Sequence, residues 1–463
     1  MMNYEKYQML LNVIDKAENG PIVDENEWDK QYIGETVQNL IKKYDINWNM
    51  EDKPLVSSDD DLADRTFEAG MEFAREVGVF CIDTKRQMKF SQKELDESLA
   101  ILPQEIVAGA GNDTVTIYKR VPEDSKRVAI WGGPFGVPVA EDLFRPMMES
   151  YAREPLIDIL DNVSLLTTYG RKARAGSPTE AIMGWQEAST ILELIEKVGR
   201  PGLPIGCGAN ATTEIGDMAN TTWGGFRPTD LHKLSFVSEQ KTAYHHLTKA
   251  VHFAHSKSLT EVFCNTMFGG YMGGASGVAL GVVSGLILLH ACYLGDIPNS
   301  GPTHVHLNCS TYPGIISAMS VAFQGLSRNT NLLIAAHTRP TSGPGTMDIF
   351  REISAFLIAN VVSGASVVNC VQSAVGNNIA HASPLEVRFG AKVVHAAEGI
   401  SRKEGNEIVK DLVDKFEGVQ KESRIGKTFP ELYDLDSLQP APEWQRMYDA
   451  ALTEMQSEYG LKL

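Results

Sequence analysis

The sequence is short of basic residues, of paired cysteines and of phosphate-binding glycine motifs, and each shortage removes a class of function. Lys and Arg number 42 against 59 Asp and Glu, a net formal charge of −17. That is the wrong sign for holding nucleic acid or an anionic membrane through a general basic surface. The six cysteines, Cys81, Cys207, Cys264, Cys292, Cys309 and Cys370, are widely scattered with no CxxC pair, unlike a secreted disulfide framework or a zinc ribbon. Reduced thiols in a cytoplasm are the expectation. No GxGxxG or GxxxxGK[ST] occurs, so a doubly wound nucleotide fold would lack its phosphate loop. Met1 to Tyr7 is polar, without a basic-then-apolar leader pattern. The most apolar stretch, Gly277 to Leu294, contains Gly281, Ser284, Gly285 and His290 and has no basic flanks. It reads as a buried helix rather than a membrane span.

What is present is an ordinary folded composition, 43% hydrophobic and 22% charged over 463 residues. Up to about Leu102, apolar residues at three- and four-residue spacing (Tyr7, Leu10, Leu11, Ile14; Phe67, Met71, Val77) predict helices. Ile106 to Val121 alternates as a strand pair around the turn Gly109 to Asp113. Beyond Arg127, short β-branched runs alternate with helical stretches, the pattern of parallel strands with crossover helices. Eight strands are expected at Val128–Trp131, Val163–Thr168, Leu203–Cys207, Leu234–Val237, Leu259–Asn265, His304–Cys309, Leu332–His337 and Ser366–Gln372. Eight such units predict an α/β fold, a (β/α)8 TIM barrel with an N-terminal helical cap. The expected division is 1–126 (helices and a hairpin), 127–400 (barrel) and 401–463 (a C-terminal helical extension on the barrel). From Val262 to Thr338 the only Asp, Glu, Lys or Arg residues are Asp296 and Arg328. Helices there should be covered on both faces, by the barrel and by a second subunit of a homo-oligomer, or else by the N-terminal helices.

Barrel enzymes react at the C-terminal ends of their strands. Those ends offer Trp131, Cys207, Asn265, the series His304, His306 and Asn308, then Cys309, His337 with Arg339, and Asn369, Cys370 and Gln372. His304, His306 and Asn308 would share one face of a strand. His337 and Arg339 would share another, ending at Pro340. A lone histidine in such a place is more often a hydrogen-bonded structural residue, and an arginine usually pairs with a carboxylate. Several imidazoles, an arginine and free amides at one mouth point instead to a site. Cys207, His304, His306, Cys309 and His337 could in principle supply a zinc set, but their spacing does not demand one, and no bound metal is expected.

The chain resembles the monomethylamine methyltransferase family, barrel enzymes that pass a methyl group to a corrinoid protein. The matching segments are Gly78 to Thr84, Gly109 to Asp113, Gly132-Gly133-Pro134 with Glu141-Asp142, Gly199-Arg200-Pro201-Gly202, Phe268-Gly269-Gly270-Tyr271, Ser342 to Thr346 and Gly426 to Phe429. The resemblance implies a cytoplasmic methyltransferase working with a cognate small corrinoid protein, with no tightly bound cofactor of its own. It also exposes departures. Gly206 stands where the family has pyrrolysine, Phe263 where it has an acidic residue, and His337 and Arg339 where it has a glutamine and a tyrosine.

Four pocket positions changed together imply a changed methyl donor. A quaternary nitrogen leaves as a neutral amine without help, so an activating imine is unnecessary. An aromatic face such as Phe263 holds such a nitrogen at roughly 0.5–2 kcal/mol per ring. Trp131, Tyr271, Phe135 and Trp223 are further candidate walls, although an aromatic in such a place is more often packing than cage, and His306 is a candidate contact. Arg339 would hold an anionic end, as in a betaine, with His337 beside it. The alternatives are a zinc-assisted transfer from a thiol or alcohol and a non-catalytic homologue that kept only the barrel.

Overall fold

The computed structural model describes residues 4–48, 54–372, 374–376, 378–422 and 424–463. Eight parallel strands form its centre: β1 (Ala129–Gly132), β2 (Ile159–Leu160), β3 (Gly206–Cys207), β4 (Leu231–Ser235), β5 (Leu259–Cys264), β6 (Ile297–Ser300), β7 (Ala335–His337) and β8 (Val367–Cys370). Neighbours in sequence pair in order, and β8 pairs back to β1. A parallel bridge between Leu160 and Ile205 joins β2 to the approach of β3 and completes the ring. After each strand comes a helix, in turn Glu141–Ala152, Pro178–Lys197, Glu214–Asn220, Tyr244–Ser256, Ala275–Tyr293, Pro313–Asn329, Asp348–Val362 and Pro384–Ala397. This is the expected (β/α)8 barrel.

Two strands lie elsewhere than expected. The second is Ile159–Leu160 rather than Val163–Thr168; Ser164–Leu165 instead pairs with Pro138–Val139 in a small sheet of its own. The sixth is Ile297–Ser300 rather than His304–Cys309. Pro298 sits inside it, a residue that argues against an interior strand in any reading by pattern. Its neighbours nonetheless pair in register with β5 and β7. His304, His306 and Asn308 therefore do not alternate on a barrel strand. They belong to the loop after β6, where Thr303–His304 makes a short parallel pair with Met267–Phe268.

The hairpin Glu105–Ala108 with Val115–Tyr118 forms as expected, with Gly109 (φ 84°) and Gly111 (φ 57°) in the connecting turn. Its inward residues Ile106, Ala108, Val115 and Ile117 form one cluster with Ala129, Ile159, Leu231, Ile297, Leu333 and Val367 at the N-terminal ends of the barrel strands. The hairpin thus closes the barrel floor.

The charge-free helices are covered within the chain. Ala275–Tyr293 is long and apolar enough to cross a membrane, and it is wholly buried. The N-terminal helix Asp60–Val77, capped by Asp59 accepting from Leu62 N at 3.0 Å, lies over it and over Pro313–Asn329. Glycines allow the close approach: a Cβ on Gly70 would stand 2.4 Å from Val283 Cγ1, and one on Gly325 2.6 Å from the Ala63 carbonyl oxygen. The lack of charge in these helices is thus explained without a subunit interface, and it supplies no argument for a homo-oligomer. On the opposite flank, Trp444 of the helix Pro442–Tyr459 stacks on Phe350 at 4.9 Å and donates to Ser383 Oγ at 2.9 Å.

Candidate active site

Alternate residues of a strand face the same side, so the pairing register sorts the barrel interior into layers. Above the apolar floor is a polar layer. Lys233 stands opposite Glu261 across β4 and β5, and Asn369 opposite Trp131 across β8 and β1. Lys233 Nζ is ion-paired with Asp161 just after β2, and Asp161 Oδ2 also accepts from Asn369 Nδ2 at 3.2 Å. The same ammonium lies 4.3 Å from the ring centre of Phe135 and 5.6 Å from that of Trp131. Glu261 Oε1 accepts from Asn299 Nδ2 at 2.8 Å, and burial pushes its carboxyl up to about 7. Sequence reasoning passed over Asp161, Lys233 and Glu261. The signal that could have found them is charge inside otherwise apolar strands, which a core does not tolerate unpaired.

The next layer is made by Phe263 and His337. The His337 ring is edge-on to Phe135 at 5.0 Å and to Phe263 at 5.4 Å. Its Nε2–H donates to Gln372 Oε1 at 2.9 Å, which leaves Nδ1 as the acceptor. Burial, assisted by Arg339, pushes the imidazole down to about 3, so it is neutral at physiological pH. Arg339 shares the Gln372 oxygen, donating through Nε at 2.5 Å, and its Nη1 donates to Thr303 Oγ1 at 3.1 Å and Asn308 Oδ1 at 3.4 Å. No carboxylate pairs with Arg339 among the described residues, and its hydrogen bonds to them run through Nε and Nη1 rather than Nη2. Burial pushes this guanidinium down to about 10.

The backbone around this pair is held firmly. Ser310 Oγ donates to the His337 carbonyl at 3.1 Å and accepts from Arg339 N at 2.7 Å. Past Pro340, the buried Glu352 accepts from Thr341 N at 2.8 Å, Thr341 Oγ1 at 2.8 Å, Ser342 N at 2.9 Å and Thr311 Oγ1 at 2.7 Å. One carboxylate on a helix thus ties together the loops after β6 and β7.

Of the residues singled out from sequence, His337, Arg339, Phe263 and Trp131 converge inside the barrel. Gly206 is there too. A Cβ on it would stand 2.7 Å from Trp131 Cζ2 and Nε1, so the indole occupies the space a side chain at 206 would enter. Trp131 is fully buried, and its Nε1–H has no partner among the described residues. His306 and Tyr271 are not brought to this group. His306 is exposed, its amide donating to His304 Nδ1 at 3.2 Å, and His304 stacks on Phe268. Tyr271 is exposed on the loop after β5, whereas Trp223, also exposed, follows the helix Glu214–Asn220 and lies on the loop leading into β4, at the opposite end of the barrel. With Leu166, Tyr169, Val305 and Ile379 from the loops after β2, β6 and β8, Tyr271 gives the C-terminal end of the barrel an exposed apolar rim. Cys207 points outward, into the core between strands and helices. No group of three or more His, Cys, Asp or Glu residues suited to a metal occurs among the described residues.

Known proteins resemble this chain along its whole length. The family described as monomethylamine methyltransferase MtmB matches residues 9–461. Monomethylamine methyltransferase MtmB2 of Methanosarcina acetivorans is 27% identical over 460 residues, covering 99% of this chain and 100% of the relative. MtmB1 of Methanosarcina barkeri is 27% identical over 455 residues, 98% and 99% of the two chains. The crystal structure of the Methanosarcina barkeri enzyme superposes with a TM-score of 0.95 at 27% identity, covering 98% of each chain, and so does its hydroxylamine complex.

Proposed function

Since the chain belongs to the monomethylamine methyltransferase family, a family that transfers methyl groups to a corrinoid protein, we propose that its donor is a small zwitterion, a quaternary methylammonium group joined to a carboxylate, rather than monomethylamine. The observation that carries this reading is Arg339. Arg339 is half-buried, with no carboxylate among the described residues and an Nη2 that makes no hydrogen bond to them, so it is open to an anion. With Nε and Nη1 donating to Gln372, Thr303 and Asn308, the N–H groups of Nη2 are left for a carboxylate.

The neighbouring groups suit the other end of such a molecule. His337 is neutral and does not repel a cation. Phe263, which flanks it, offers aromatic surface to a quaternary nitrogen, while Phe135 on its other side already faces the Lys233 ammonium. Gly206 leaves no side chain to form a covalent adduct with an amine, and Trp131 fills the place where one would stand. A quaternary donor needs no such adduct, because the departing amine is neutral. The corrinoid, carried by its own protein, supplies cobalt(I) as the nucleophile that takes the methyl group. This chain's contribution is to hold the donor by Arg339, aim its methyl group out of the mouth and keep water from the buried end. The apolar rim around the mouth suits a protein acceptor.

The test is a donor panel with a cobalt(I) corrinoid protein, followed by the cobalt absorbance change. Trimethylglycine or a related betaine should be demethylated and monomethylamine should not; the opposite pattern sinks the reading. Arg339→Ala should keep its fold and lose transfer from the carboxylate-bearing donor by roughly 2–5 kcal/mol, as for a truncated buried charge pair. Arg339→Lys should recover only part of that loss, because one ammonium cannot reproduce a forked contact.

A further inference from the structure

The barrel interior holds more fixed charge than the family reaction, as read above, makes use of. Three ionisable side chains share the layer beneath Phe263 and His337: Asp161, Lys233 and Glu261. Lys233 and Asp161 pair with each other. Glu261 is left over. It is 4% exposed, its only hydrogen-bond partner among the described residues is the neutral amide of Asn299, and no cation lies within ion-pairing distance of it there. It faces inward, paired in register with Lys233 and two residues before Phe263 on the same strand, which places it one pleat, about 7 Å, below that ring. The barrel interior therefore holds two groups of opposite sign that lack an ion-pair partner among the described residues, Arg339 toward the mouth and Glu261 below Phe263, with Lys233 facing Glu261 from β4.

We propose that Glu261 is the counter-charge for the cationic end of the donor, so that a zwitterion is held between Arg339 and Glu261, neither of which has an ion-pair partner among the described residues. This rests on the zwitterion reading above and adds the orientation: carboxylate at Arg339, methylammonium over Phe263 and Glu261. The charged groups facing Glu261 are Lys233 from β4 and Asp161 after β2, with Asn299 from β6. Burial holds its carboxyl at about 7, so near neutrality it is a mixture of acid and carboxylate. A cation arriving above it favours the carboxylate, and the proton lost passes to solvent. Donor binding should therefore release a fraction of a proton below pH 7 and none well above it.

Calorimetric titration of the full chain decides this. The probes are trimethylglycine and its carbon isostere 3,3-dimethylbutanoate, which keeps the carboxylate but carries a neutral tert-butyl group in place of the trimethylammonium, in buffers of differing ionisation enthalpy at pH 6.5 and 8.5. At pH 8.5, where Glu261 is ionised, trimethylglycine should bind about ten-fold or more tighter than the isostere. Proton release should accompany trimethylglycine at pH 6.5 only. Glu261→Gln, which keeps the shape and the acceptor for Asn299, should lose both the preference and the release while still binding the isostere through Arg339. Equal affinities, no proton release in the unmutated protein, or an unchanged Glu261→Gln variant each overturn the role of Glu261 and leave the Arg339 reading standing. If neither probe binds, or binding survives Arg339→Ala, the Arg339 reading falls and this one with it.

Discussion

Gly206 and Trp131 form one unit, and neither residue's type makes sense without the other. The glycine has no room for a Cβ because the indole edge is 2.7 Å from where it would be, and the indole can lie there only because the glycine is bare. Gly206→Ala should therefore overpack the barrel, costing about 1–3 kcal/mol. Trp131→Phe, which removes the overlapping ring, should restore much of it, so that a double-mutant cycle of melting curves shows favourable coupling. Additive effects would mean that the two do not touch. In the sequence, Gly206 was visible only as a departure from a resembling family, and Trp131 only as a strand-end aromatic. That one fills the place of the other's side chain is a matter of packing across the barrel, which no local pattern encodes. Lys233 and Glu261 were missed for a different reason. Glu261 lay inside an expected strand and Lys233 just before one, Leu234–Val237, which in fact begins at Leu231; which way a strand residue faces is fixed by pairing partners rather than by its own neighbours.

At the scale of elements, what repeats was legible and what merely fills was not. Eight alternations of strand and helix are a periodic signal, and the hairpin announced itself through its glycine turn. The two strands that went astray are a two-residue pair, β2, and one interrupted by Pro298, β6, both carried by tertiary pairing instead of by propensity. The charge-poor helices were recognised as covered, but the cover is the chain's own helix Asp60–Val77. That contact depends on Gly70, whose missing side chain lets the helix settle on Val283. Gly70→Leu should force the two helices apart, lower the melting temperature by the equivalent of about 1–3 kcal/mol, and expose apolar surface that binds a hydrophobic dye. An unchanged melting curve would show that the helix is not seated there.

Across the whole molecule, buried acids and buried imidazoles set opposite limits on pH. Burial pushes Glu187, Glu261 and Glu386 up to about 7 and Glu239 up to about 8. Above the ordinary carboxylate range the native state thus holds protons that the unfolded chain has lost, and stability falls as pH rises through 7 to 8. His246 and His337, pushed down to about 3 by burial, act the other way: below about 6.5 the unfolded chain takes up protons the native state refuses, so stability falls on acidification. With four such carboxyls against two such imidazoles, thermal melts should decline between pH 6.5 and 8.5, on the order of 1 kcal/mol for each carboxyl; a melting temperature still rising at pH 8.5 would contradict this. The barrel's architecture also fixes the order of events. Because the hairpin Glu105–Tyr118 stoppers it from below, the vessel has a single neck, and a macromolecular acceptor seated over that neck shuts in whatever lies beneath. The small molecule must then enter first and its remnant leave last. Reciprocal rate plots would intersect instead of running parallel, and surplus acceptor would slow turnover by corking empty barrels.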